Sequence, residues 1–89
     1  MNFDKQFTKY NDNFELVENK DIFAIYKRTR GNHVSYETVI FYVSKTGEWF
    51  YPSATSWGQR GWSYATYDKA KARYENVIET KQNLVSASR

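Results

Sequence analysis

Between residues 14 and 52 the chain is a succession of short β-branched and aromatic runs broken by turn signals, and this pattern constrains the fold more than any other feature. Runs of this length joined by two- or three-residue turns pair with their neighbours in sequence, so they predict a four-stranded antiparallel meander over 14–51. Three turns set its register. With Asn19-Lys20 as a two-residue turn, Leu16 faces Phe23 and Phe14 faces Ile25. With Gly31-Asn32-His33 as a three-residue loop, Phe23 faces Phe41, Ile25 faces Val39, and Lys27 faces Glu37 as a favourable charge pair. Lys45-Thr46-Gly47, with its glycine in the left-handed position, sets Val43 opposite Trp49 and Phe41 opposite Tyr51. Together these choices predict one apolar face of Phe14, Leu16, Phe23, Ile25, Val39, Phe41, Val43, Trp49 and Tyr51. A slip of one residue would exchange the two faces.

Helices are expected on either side. Phe3, Phe7 and Tyr10 at i, i+4, i+7 predict a short N-terminal helix, ended by the turn-prone Asn11-Asp12-Asn13. Thr66 as N-cap, Asp68 in the first turn and the stripe Tyr67, Ala70, Tyr74, Val77, Ile78 predict a second helix over 67–82, packed on the apolar face. Residues 83–89 are small and polar and are expected as a frayed, disordered tail beyond a single α+β domain at 1–82.

Composition narrows the function. At 89 residues with 19% aromatic side chains, the core is small and depends on large rings. The absence of cysteine removes disulfides, thiol chemistry and zinc knuckles, and fits a reducing compartment. No apolar run approaches the roughly 18 residues of a membrane span, and the start lacks a signal-peptide pattern, so a cytoplasmic protein without membrane contact is expected. The lone His33 and scattered carboxylates assemble no acid–base, nucleophile or metal set, so neither an enzyme nor a cofactor or metal site is expected. A net charge of +3 favours an acidic partner, nucleic acid or protein.

Three features can carry function. On the outer face of the expected sheet, Tyr26, Arg28 and Arg30 on strand two lie beside Val34, Tyr36, Thr38, Ile40 and Tyr42 on strand three, with Phe50 on strand four. Rings beside guanidiniums suit single-stranded nucleic acid, with stacking worth roughly 1–3 kcal/mol per base. Tyr26 and Tyr36 would stack, while Lys27, Arg28, Arg30, Arg60, Lys69 and Arg73 would contact phosphate. Alternatively the N-terminal helix, or a second copy in a homodimer, covers this face over Val17, Ile22, Ala24 and Ile40. The second feature is the loop at 52–62, where Trp57, Trp62 and Arg60 interleave with Gly58 and Gly61. It either docks on a partner or plugs the open end of the core. Charge segregation on the helix is the third, with Lys69 and Arg73 away from the apolar stripe, as ordinary solvated charge also would be.

Tyr51-Pro52-Ser53, Trp57-Gly58, Gly61-Trp62 and the alanine-containing helix that follows resemble small accessory proteins of tailed phages, over roughly residues 48–78. That group includes RNA-binding factors that neutralise the ToxN endoribonuclease of a toxin–antitoxin system. The resemblance assigns no individual residue a role. It implies a stoichiometric inhibitor of a host or defence enzyme, acting in the host cytoplasm. Two partners follow as expectations: RNA, bound by the tyrosine–arginine face, or a host or defence protein, docked on the tryptophan loop.

Overall fold

The computed structural model describes residues 5–87, apart from the side chains of residues 54 and 81–87. Its main sheet has five antiparallel strands in the order β1-β2-β3-β4-β7. These are β1 (Gln6–Lys9), β2 (Asp12–Lys20), β3 (Phe23–Arg30), β4 (His33–Ile40) and β7 (Gly61–Tyr64). Between β4 and β7 the chain makes a separate hairpin, β5 (Tyr42–Val43) with β6 (Trp49–Phe50), and a single 3-10 turn at Ala54–Ser56. One helix, α1 (Tyr67–Ala87), completes the α+β domain.

The expected N-terminal helix is a strand. Tyr10 and Asn11 both hold positive φ, 56° and 65°, so they turn β1 directly back onto β2 as a two-residue hairpin loop. Phe7 thereby stacks on Phe14 at 4.6 Å and meets Tyr26 and Tyr51 edge-on. Two residues four apart share a face in a strand as well as in a helix, and so short a helix is marginal without packing. Phe3, the first residue of that expected stripe, lies outside the described residues.

Two further turns correct the register. The β2–β3 turn is Asp21-Ile22, with Asp21 at φ 53°, and not Asn19-Lys20. A bulge between Leu16 and Glu18 then brings Leu16 opposite Tyr26 and Phe14 opposite Arg28. The β3–β4 turn is the two residues Gly31-Asn32, which sets Phe23 opposite Ile40 and Tyr26 opposite Glu37. The single apolar face is therefore divided between the two sides of the sheet. Phe14, Leu16, Ala24, Tyr26, Val39 and Phe41 form one core with Phe7, Trp49 and Tyr51. Phe23, Ile25, Tyr36 and Tyr64 form the other with the helix. Both faces of β3 are covered, so Ala24, Ile25 and Tyr26 are all buried in succession. The proposed apolar docking face dissolves in the same way, since Ala24 and Ile40 are buried on opposite sides.

The third turn behaves as its chemistry predicts. Gly47 holds φ 87°, and Val43 pairs with Trp49 and Tyr42 with Phe50. Yet this hairpin leaves the main sheet, so the expected fourth strand is replaced there by β7, which pairs Glu37 with Ser63 and Thr38 with Trp62. Arg60 secures the departure. Its guanidinium donates to the carbonyls of Ile40 and Phe41 at 3.3 and 2.5 Å and lies 4.0 Å over the Tyr42 ring.

The helix starts where expected, with Thr66 Oγ1 accepting from the Lys69 amide at 3.4 Å. Ala70, Tyr74 and Val77 are buried, and Thr38 donates its hydroxyl to the Ala70 carbonyl at 2.7 Å. Lys71 pairs with Glu18 at 2.6 Å and Tyr67 donates to the same carboxylate, tying the helix to β2 beyond the bulge. Those contacts hold the Glu18 carboxyl below its ordinary range although burial opposes them. The expected tail from residue 83 is helical as far as Ala87, because no glycine or proline interrupts the chain after Gly61. No helix among the described residues is long and apolar enough to cross a membrane.

Candidate functional site

Opposite the helix, the sheet buries two carboxylates completely: Asp12 is 0% and Glu37 1% exposed. Carboxylates enter a protein interior only when paired and hydrogen-bonded. Strand periodicity supplies the partners. Asp12 opens β2 on the same face as Phe14, and Arg28 and Arg30, two residues apart on β3, project from that face as well. Arg30 Nε donates to Asp12 Oδ1 at 2.6 Å, and Arg28 Nε donates to Asp12 Oδ2 at 2.6 Å. Arg28 Nη1 reaches Glu37 Oε2 at 2.8 Å. Tyr51 donates to Glu37 Oε1 at 2.5 Å and Ser63 to Glu37 Oε2 at 3.1 Å. The cluster thus links β2, β3, β4, β7 and the segment after β6.

Its electrostatics follow from the pairing. The Arg30 hydrogen bond, joined by that from Arg28, holds the Asp12 carboxyl below its usual range against the opposing effect of burial. Burial likewise works against the Arg28 charge, but Glu37 and Asp12 outweigh it and raise its pKa. Burial pushes the Tyr51 phenol well above its ordinary value, reinforced by the Glu37 charge. No buried side-chain nitrogen or oxygen among the described residues lacks a hydrogen-bond partner.

Over this ionic floor opens a cleft of about 420 Å³, lined by Lys9, Tyr10, Phe14, Arg28, Glu37, Tyr51, Pro52, Ser53 and Trp57. Tyr10 stands on one wall at the tip of the β1–β2 turn, 74% exposed. Trp57, 37% exposed, forms part of the other. The Trp57 ring lies directly over Gly61, where even a methyl group would come within 2.4 Å of it. Gly58, at φ 90°, lets its amide reach the Gly61 carbonyl at 2.7 Å and closes the loop. The Lys9 ammonium sits 5.3 Å from the Tyr10 ring and 5.9 Å from the Tyr51 ring.

The tyrosine–arginine patch expected from the sequence is taken apart. Arg28 lines the cleft and Arg30, 65% exposed, is not part of its lining, though both are tied to Asp12. Tyr26 is in the core and presents no ring face. Lys27 and Tyr36 project from the opposite side, Tyr36 edge-on to Tyr67 at 6.1 Å and Lys27 in a shallow groove with Gln6, Thr8, Asn13, Glu15 and Thr29. Arg60 is spent on backbone carbonyls, and Arg73 on the Tyr64 hydroxyl at 2.9 Å and the Trp62 ring at 5.0 Å. Lys69 is an exposed helix residue. Of the two loop tryptophans, only Trp57 reaches the cleft; Trp62 lies in β7 on the helix side.

Lys9, Tyr10, Asp12, Glu37 and Tyr51 are not expected in the site from the sequence, where Glu37 stands as a charge partner of Lys27, or of Arg28 and Arg30 on a solvated surface, Tyr51 as part of the apolar face and Tyr10 as part of a helix. A usable signal existed: Asp12 and Phe14 share one strand parity, as do Arg28 and Arg30, so acid and base fall on one face once a hairpin joins β1 to β2. Among the described residues, no three of His, Cys, Asp or Glu come together as a metal site. The carboxylates of the floor have their oxygens occupied, so contact with a ligand falls to the rings, Lys9, Ser53 and the unspent N–H groups of Arg28. No protein-family model, no curated protein and no solved structure matches this chain.

Proposed function

We propose that the chain is a non-catalytic binding module that takes a segment of a partner protein into the aromatic cleft. One observation carries this: the exposed rings of Tyr10 and Trp57 flank a concave surface whose buried charges are already satisfied internally. Aromatic side chains beside a desolvated pocket dominate protein–protein hot spots, each ring burying about 150–250 Å². The phage-protein resemblance adds that the partner is a host or defence enzyme held inactive by stoichiometric binding.

RNA is the second reading, favoured by Lys9, whose ammonium lies beside two rings at the cleft. A cation next to a stacking platform also suits single-stranded nucleic acid. Purification of the complex from expressing cells, with and without nuclease, separates the two. A protein partner survives nuclease and is lost from a Tyr10→Asn, Trp57→Ala variant; asparagine tolerates the positive φ at position 10. An RNA partner disappears with nuclease and dissociates steeply with salt. If the double variant folds and keeps its partner, the cleft is not the binding surface.

A further inference from the structure

We propose that the cleft selects an acidic side chain flanked by an apolar or aromatic residue in a short segment of the partner, an inference that rests on the protein-binding reading above. The charge balance of the cleft points there. Among the lining residues Lys9 and Arg28 stand against Glu37, and outside the lining Arg30 is balanced by Asp12, which leaves a surplus of one positive charge. Both carboxylates are turned inward. Asp12 is held by two arginines, and Glu37 by Arg28, Tyr51 and Ser63, so both are paired and, at 0% and 1% exposed, offer almost no surface to a cationic guest.

The cations differ. Arg28 has five N–H donors. Its contacts to Asp12 and Glu37 engage Nε, one N–H of Nη1 and one of Nη2. One N–H remains on each terminal nitrogen, with the side chain 28% exposed on the cleft. Lys9 makes no ion pair among the described residues; its ammonium lies beside the Tyr10 and Tyr51 rings. The Lys9 ammonium and the remaining N–H groups of the ion-paired Arg28 line the same cleft, and charge-assisted bonds from such donors to a carboxylate are the strong class. The walls settle the rest. Tyr10, Phe14, Tyr51, Pro52 and Trp57 offer ring and aliphatic surface to whatever residue stands next to the acid. A lysine or arginine in the same position would meet Lys9 and Arg28 with no carboxylate left to receive it, and such juxtapositions are what exclude wrong partners.

Selection of a random displayed peptide library on the full chain tests this. The expected winners carry Asp or Glu next to Phe, Tyr, Trp or Leu. A synthetic winner followed by fluorescence anisotropy should lose about tenfold or more in affinity on Lys9→Gln, since a charge-assisted bond is removed. Lys9→Glu should reselect Lys- or Arg-containing peptides. Thermal midpoints of both variants, compared with the parent, keep a loss of fold from counting as a loss of recognition. Winners that are neutral or basic overturn the acidic preference while leaving the protein-binding reading intact. A library that yields nothing, while a uridine oligonucleotide binds with a steep salt dependence, overturns both. Failure of peptides and oligonucleotide alike also overturns the acidic-segment inference.

Discussion

The two faces of the sheet are built on different physics. On the helix side, Ile25, Ala70 and Tyr74 pack with Phe23, Tyr36, Tyr64 and Ile78, and among the described residues the fully buried polar contact there is the Thr38 hydroxyl on the Ala70 carbonyl, with the Lys71–Glu18 pair only part-buried. On the cleft side, an aromatic cluster of Phe7, Phe14, Tyr26, Phe41 and Tyr51 borders a chain of alternating arginines and carboxylates. Apolar burial is non-directional and tolerates small displacements, whereas a paired buried charge needs each partner in place. The helix side therefore stabilises, and the cleft side also specifies: it holds β1, β2, β3, β4 and β7 in one register while leaving rings exposed at its rim.

The largest effects should separate these faces by mechanism. Glu37→Ala removes one of the two carboxylates that hold Arg28 and the acceptor of Tyr51 and Ser63, and should cost about 3–5 kcal/mol in urea denaturation. Ile25→Ala on the helix side should cost a similar amount, roughly 2–5 kcal/mol, through a cavity. The two can be told apart by Glu37→Leu, which fills the volume without the charge. If Leu rescues most of the loss, packing and not pairing governs the cleft side as well.

A smaller effect sharpens the same comparison at the rim. Gly61→Ala should push the Trp57 ring aside and cost about 1–3 kcal/mol, with a shift in tryptophan fluorescence. An unchanged spectrum and midpoint would mean that the Trp57 wall of the cleft is not held by β7.

Acid should give the least of the three. Asp12 titrates near 3.8 when unfolded and lower when folded, so the unfolded chain takes up the proton first as pH falls. Its contribution is whole at neutral pH and is lost on acidification through the folded value. Glu18, depressed by Lys71 and Tyr67, adds to this from the helix side. Asp12→Asn should therefore flatten the fall of the thermal midpoint below about pH 4 in part, and Ile25→Ala should not. Equal slopes in parent and Asp12→Asn would remove the ionic cluster from the acid response.

Much of the fold was legible because it depends on neighbours in sequence. Gly47 announces its turn, and that turn alone sets Val43 against Trp49. The stripe Ala70, Tyr74, Val77 needs only the helical period, and Thr66 needs only its own hydroxyl. The other turns were harder to place for a local reason too: Tyr10 adopts positive φ, which a tyrosine does not announce, and Gly31 marks a turn without fixing whether two or three residues make it. The bulge at Leu16/Glu18 shifted one strand, and apolar residues of both parities offered no warning, because a sheet covered on both faces has no polar side to betray a slip.

By itself the sequence determined the class of architecture, an α+β fold with an antiparallel sheet and a C-terminal helix, though not the strand that stands where an N-terminal helix was expected, since alternation, turn residues and helical spacing are properties of adjacent residues. Only the tertiary structure decided what the arginines do. Arg28 and Glu37 are nine residues apart, Arg30 and Asp12 eighteen, and Glu37 and Ser63 twenty-six, and a change of one residue in any turn would send their side chains to opposite faces. An arginine reads the same in sequence whether it will meet a ligand or a buried carboxylate. Which of these it meets is settled by strand register, and register is a property of the whole sheet.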